Sequence, residues 1–148
     1  MWGYDQPLIE ENRETVASYL KSNGYNTACI GKWHLGLGWQ AKDENKPIAK
    51  YEWAKVFNKG DDSNVDFSKR TSGPNSLGFD YSYIIPASLD MTPYLYLENE
   101  KVVELPTEYT EGKSEDVDGR GVIWRPGEVA PSFVFEDVLD NFTKKTVT

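Results

Sequence analysis

The sequence has little cysteine, histidine or basic charge. A single cysteine, Cys29, excludes an intrachain disulfide and leaves the redox compartment unread. A single histidine, His34, confines imidazole chemistry to one position. The 16 Lys and Arg stand against 24 Asp and Glu, a net charge of -8 at pH 7. With no basic stripe to neutralise phosphates, the charge argues against a nucleic-acid partner. The same field does not draw in an anionic substrate, so a local cluster would have to do that. No apolar run is long enough for a membrane-spanning helix. Met1 to Pro7 carry neither the basic region nor the apolar core of a signal peptide.

What is present is globular. Of 148 residues 39% are hydrophobic and 14% aromatic, enough to bury a real core. After an irregular lead-in, the pattern predicts a helix from Glu10 to Ser22. Asn12 is its expected N-cap, and Val16, Tyr19 and Leu20 its buried face. Asn23-Gly24 is the stop, with Gly24 in a left-handed conformation. A strand from Tyr25 to Ile30 follows, with Cys29 as a buried, inert thiol within Ala28-Cys29-Ile30.

That strand ends at a glycine and delivers Lys32 and His34 into the loop beyond, within Gly31-Lys32-Trp33-His34-Leu35-Gly36. Helix, glycine, strand and loop form one unit of an α/β fold, whose ligands bind past the carboxyl ends of the strands. If the loop stays extended, Lys32 and His34 face the same way. A fixed charge beside a titratable donor suits an oxyanion such as phosphate, sulfate or carboxylate. The bland alternative is a packed histidine and a solvated lysine.

Residues 37 to 72 read as polar and irregular, with a surface loop at Gln40 to Pro47, a short helix at Tyr51 to Phe57 and an excursion over the surface from Asn58 to Ser72. Tyr81 to Ile85, ended by Pro86, predicts a second strand. The loop after it places Ser88 and Asp90 two residues apart, where they line a site or bond their own turn. Tyr94 to Leu105 reads as a hairpin, and residues 106 to 131 as a second polar stretch. In that stretch Arg120, Trp124 and Arg125 make a basic-aromatic group for a sugar or an anion, or a solvated loop. A last amphipathic helix is expected from Phe133 to Lys145, with Phe135, Val138, Leu139 and Phe142 on its apolar face.

The string Gly31-Lys32-Trp33-His34-Leu35-Gly36 after a Gly-Tyr-x-Thr strand resembles the second signature of the formylglycine-dependent sulfatases, in the alkaline phosphatase superfamily. Leu77 to Tyr81, Ile85 to Asp90 and Trp124 to Gly127 are similar to later blocks of that family. The resemblance implies an α/β fold: a partial alkaline-phosphatase/sulfatase-like sheet with flanking helices and long surface loops. Residues 1–148 would be a single partial domain, the central segment of the N-terminal catalytic domain. It implies hydrolysis of sulfate esters of carbohydrates or aryl alcohols by a formylglycine, with calcium polarising a sulfate oxygen. Lys32 would bind sulfate, His34 would assist as a catalytic residue, and Ser88 would line the pocket.

The family's nucleophile motif, Cys/Ser-x-Pro-x-Arg, does not occur here. Ser72-Gly73-Pro74-Asn75-Ser76 comes nearest, with serine at the arginine position, and Cys29 is followed by Ile-Gly-Lys. The metal-ligating pairs that flank this segment in the family are also missing, so no residue of this chain is expected to bind calcium. The expectation is an internal fragment with part of a sulfate pocket, inactive by itself and prone to self-association. The alternative is a non-catalytic remnant that binds anions or sulfated glycans. Full-length relatives are often periplasmic or secreted, and localisation stays open.

Overall fold

The computed structural model describes residues 1–48, 63–114 and 122–147. The helix expected at Tyr51 to Phe57 lies outside the described residues, as does Arg120.

The first helix, α1 (Val16–Ser22), begins later than the sequence suggests, because Asn12 has a φ of 63° and cannot start a right-handed turn. The cap is Thr15 instead. Its Oγ1 accepts the Ser18 amide at 3.1 Å, and Ser18 Oγ accepts the Thr15 amide at 2.8 Å. This reciprocal box satisfies two otherwise orphaned donors, an arrangement worth about 1 kcal/mol. The buried face also differs from expectation. Ala17 is 1% exposed, whereas Val16 and Tyr19 are 72% and 56% exposed. The reason is a close approach: a Cβ on Gly78 would sit 2.5 Å from the Ser18 amide nitrogen, so α1 turns its small residues inward.

The central sheet is mixed and has the order β1-β2-β3-β4. Strand β1 (Ala28–Lys32) starts and ends later than expected, while β2 (Tyr81–Ile85) matches the sequence reading. The two are parallel, in register from Ala28 opposite Tyr81 to Lys32 opposite Ile85. Thr27 and Asp80 fix that register at the entry. The Thr27 amide donates to Asp80 Oδ2 at 3.0 Å and the Asp80 amide to the Thr27 carbonyl at 2.9 Å. The ammonium of Lys21, 2.8 Å away, holds the Asp80 carboxyl below its usual range, aided by the Thr27 amide. Strands β3 (Leu97–Glu98) and β4 (Lys101–Val102) form the expected hairpin, turned by Asn99 and Glu100 at positive φ of 48° and 65°.

Two stretches read as polar contribute to the interior. Leu37, Trp39, Val65 and Phe67 all belong to the core, so the described part of the expected excursion, residues 63 to 72, does not simply run over the outside. The bridges Gly38–Ser72 and Ala41–Val65 fold that segment back on itself. Among its described residues the stretch from 106 to 131 holds four short strands. β5 (Glu108–Thr110) pairs with β8 (Gly127–Val129), and β6 (Lys113–Ser114) with β7 (Val122–Trp124). Glycines and prolines between them masked the pattern, since each strand is too short to show alternation.

The end of the chain forms a 3-10 turn at Phe135–Asp137 and then α2 (Val138–Thr146). Val138 is buried and Phe142 half-buried, but Leu139 is 74% exposed, against expectation. Lys145 ties this helix to the sheet through Glu98 at 2.7 Å. Phe142 meets the stacked rings of Tyr83 and Tyr96 edge-on.

Candidate functional site

Because β1 and β2 run parallel, their carboxyl ends open side by side, and the residues after each strand meet. The pairing continues past the strands: the Trp33 amide donates to the Ile85 carbonyl at 3.1 Å and the His34 amide to the Pro86 carbonyl at 3.0 Å. The chain therefore carries His34 alongside the loop that holds Ser88. His34 Nδ1 lies 3.3 Å from Ser88 Oγ. Lys32, the last residue of β1, is exposed, and its ammonium has no hydrogen-bond or ion-pair partner among the described residues.

The loop does not stay extended. His34 has a φ of 55°, so strict alternation with Lys32 is lost. Lys32 still acts on the ring. The His34 pKa is lowered, first by partial burial, then by the terminal ammonium and by Lys32. Asp90 and Asp5 oppose this by favouring the imidazolium. The neutral ring can accept the Ser88 hydroxyl proton at Nδ1, and the charged ring can donate to the same oxygen.

Two features shape the loop. Trp33 Nε1 donates to the Gly36 carbonyl at 2.7 Å, closing a tight turn around His34. Gly36, at a φ of 76°, presses against the Gln6 backbone, where a Cβ would overlap the carbonyl oxygen. The lead-in is thereby packed beneath the loop, with the Leu37 amide on the Asp5 carbonyl at 3.0 Å.

Asp90, a candidate from the sequence, does not face the opening unaccompanied. Its carboxylate pairs with Arg125. This contact spans 35 positions, and no local spacing signals it. Trp124 turns elsewhere, stacking on Phe135 with ring centroids 4.0 Å apart. Trp124 and Arg125 are thus separate features, not one basic-aromatic surface. Cys29 is half-buried against the core and its thiol is pushed up by burial, which disfavours the reactive thiolate.

Among the described residues no three His, Cys, Asp or Glu side chains converge to hold a metal ion.

No family model matches the chain. Over 103 residues, 70% of its length, it is 35% identical to an N-acetylgalactosamine-6-O-sulfatase of Bacteroides thetaiotaomicron. The chain is a relative of the sulfatases. It is also 47% identical over 36 residues to a steryl-sulfatase of Rattus norvegicus, a match covering 24% of this chain and 6% of that protein. A solved structure named as a 6S-sulf, from work on the metabolism of multiple glycosaminoglycans by Bacteroides thetaiotaomicron, has the same fold. It superposes with a TM-score of 0.62 over 98% of this chain and 32% of that one, at 24% identity. The match to the Bacteroides sulfatase covers 16% of that protein, so this sulfatase relative spans a small part of the relative's length.

Proposed function

We propose that this chain is a segment of a sulfuric ester hydrolase and carries part of its sulfate-binding pocket. The observation that carries the reading is the meeting of Ser88 Oγ and His34 Nδ1 at 3.3 Å, beside the exposed Lys32. A permanent cation, a titratable ring and a hydroxyl at the carboxyl ends of two parallel strands suit a tetrahedral oxyanion. Lys32 supplies charge to the sulfate oxygens. His34 donates a hydrogen bond when protonated and accepts a proton when neutral, the behaviour needed at an oxygen that gains or loses one. Donors held in place before the reaction stabilise the charge that develops on such oxygens.

The likeness to an N-acetylgalactosamine-6-O-sulfatase supports a sulfated carbohydrate as substrate. Formylglycine and calcium would come from outside the segment described, and the chain alone is expected to turn over no sulfate ester.

The test is a sulfate titration of the isolated chain, read from the imidazole resonances of His34 and repeated with Lys32→Ala. Saturable sulfate shifts that Lys32→Ala removes, with no hydrolysis of aryl sulfates, are the expected result. Shifts equal to those from chloride at the same ionic strength would overturn the reading. Saturable binding that persists after the flanking catalytic segments are restored without any turnover would favour the other reading, a binding module for anions or sulfated glycans.

A further inference from the structure

Arg125 reaches the site from a distant part of the chain. It lies between β7 and β8, and its Nη1 donates to the Asp90 carbonyl at 3.0 Å while pairing with the Asp90 carboxylate. Its own amide approaches the same carbonyl at 3.3 Å. The guanidinium is held from behind by the Trp2 ring, 5.2 Å away. Its backbone is held by Tyr94, whose hydroxyl donates to the Arg125 carbonyl at 2.9 Å. One residue therefore grips Asp90 at both side chain and main chain, with its own position fixed from two sides.

Asp90 is in turn part of a closed loop. The Met91 amide donates to the Ser88 carbonyl at 2.9 Å, closing the turn from Ser88 to Met91. Holding Asp90 places Ser88 against His34. The grip has a second effect. The charged groups acting on His34 are Lys32 from β1, the terminal ammonium and Asp5 from the lead-in, and Asp90 from the loop after β2. Asp90 is the member of this set whose charge is partnered by a guanidinium.

We infer that Arg125 is a positioning residue of the anion site: it clamps the Ser88–Asp90 loop opposite His34 and partners the Asp90 carboxylate. Arg125 does not touch the anion. The inference rests on reading Lys32, His34 and Ser88 as one anion site.

The test exploits the single histidine, whose imidazole signals need no assignment among rivals. The midpoint of the His34 titration is followed by NMR in sulfate-free buffer. In Arg125→Gln the midpoint rises above that of the parent chain, because the Asp90 carboxylate is left uncompensated. In Arg125→Lys it stays near the parent value. In Arg125→Gln combined with Asp90→Asn it returns to the parent value or below. A folded Arg125→Gln chain with an unmoved midpoint overturns the inference. Should that variant fail to fold, Asp90→Asn alone decides, since the midpoint must fall if Asp90 acts on His34, and an unchanged midpoint overturns the proposal. No sulfate is present, so failure here is distinct from failure of the sulfate titration.

Discussion

His34 Nδ1 and Ser88 Oγ stand 3.3 Å apart although 54 positions separate them in the chain. The contact exists because β1 and β2 are parallel and end together, with the backbone pairing carried one step beyond each strand. Partial burial and the charge of Lys32 lower the His34 pKa in the folded chain, against the opposing pull of Asp90 and Asp5.

That lowered pKa has a sign in stability. The unfolded chain takes up a proton at His34 near the ordinary histidine value while the folded chain resists it. The stabilising contribution is therefore present above that value and is lost as pH falls through the folded one. Urea midpoints measured between about pH 7.5 and about pH 5 should fall, and His34→Gln should flatten part of that fall. Sulfate, which favours the imidazolium, should raise the His34 midpoint and bind more tightly in acid.

Glu100 sets a second expectation. It is 5% exposed at the hairpin turn, and its Oε1 accepts the Gly73 amide at 2.8 Å, the Ser76 amide at 2.7 Å and the Ser76 hydroxyl at 2.6 Å. Glu100→Ala should cost about 1–3 kcal/mol for the buried Gly73 amide left without an acceptor, read by urea unfolding. Glu100→Gln, which keeps a carbonyl oxygen at the same place, should cost less.

Glu128 behaves in the opposite sense to a surface carboxylate. It is 7% exposed, it accepts the Tyr4 hydroxyl at 2.5 Å and the Ser63 amide at 3.3 Å, and burial raises its pKa. A raised carboxyl contributes stability below its unfolded value that is lost as pH rises through the folded value. Glu128→Gln should therefore be more stable than the parent chain near pH 7, and the gap should narrow toward about pH 4. Thermal melts at both ends of that range check it.

The isolated chain should associate with itself. Among the described residues β1 has a strand on one side only, and Val16, Tyr19 and Tyr25 are 72%, 56% and 62% exposed. An open strand edge invites pairing, and exposed apolar side chains invite association. Sedimentation velocity should show a concentration-dependent increase in mass, reduced by Val16→Glu with Tyr19→Lys. A single monomer boundary at all concentrations would contradict this.

Much of the site was legible because its parts sit on short, strongly patterned segments. The apolar run into Gly31, and the aromatic and β-branched run Tyr81 to Ile85 stopped by Pro86, each declare a strand and the loop after it. The start of α1 was not legible, because a positive φ at Asn12 and the cap at Thr15 leave no periodic trace. Nor was the inward face of that helix, which depends on the Gly78 backbone pressing on Ser18. Val65 and Phe67 lie in a stretch that reads as polar, and the bridge from Ala41 to Val65 that folds it inward leaves no local pattern. The pairing of Arg125 with Asp90 is a tertiary contact, and no spacing in the chain records it.

Gly36 gives the site loop an unusual kind of fragility. The Gln6 backbone occupies the space where any other residue would need its first side-chain carbon. A library of single substitutions scored by sulfate retention should therefore show position 36 as dark as Lys32, and for a different reason. At Lys32 a charge is removed. At Gly36 an added methyl group pushes the lead-in off the loop, and with it Asp5, one of the charges that His34 senses. Rescue would come from shortening or shifting residues 5 to 7, a remedy that could not restore a missing ammonium.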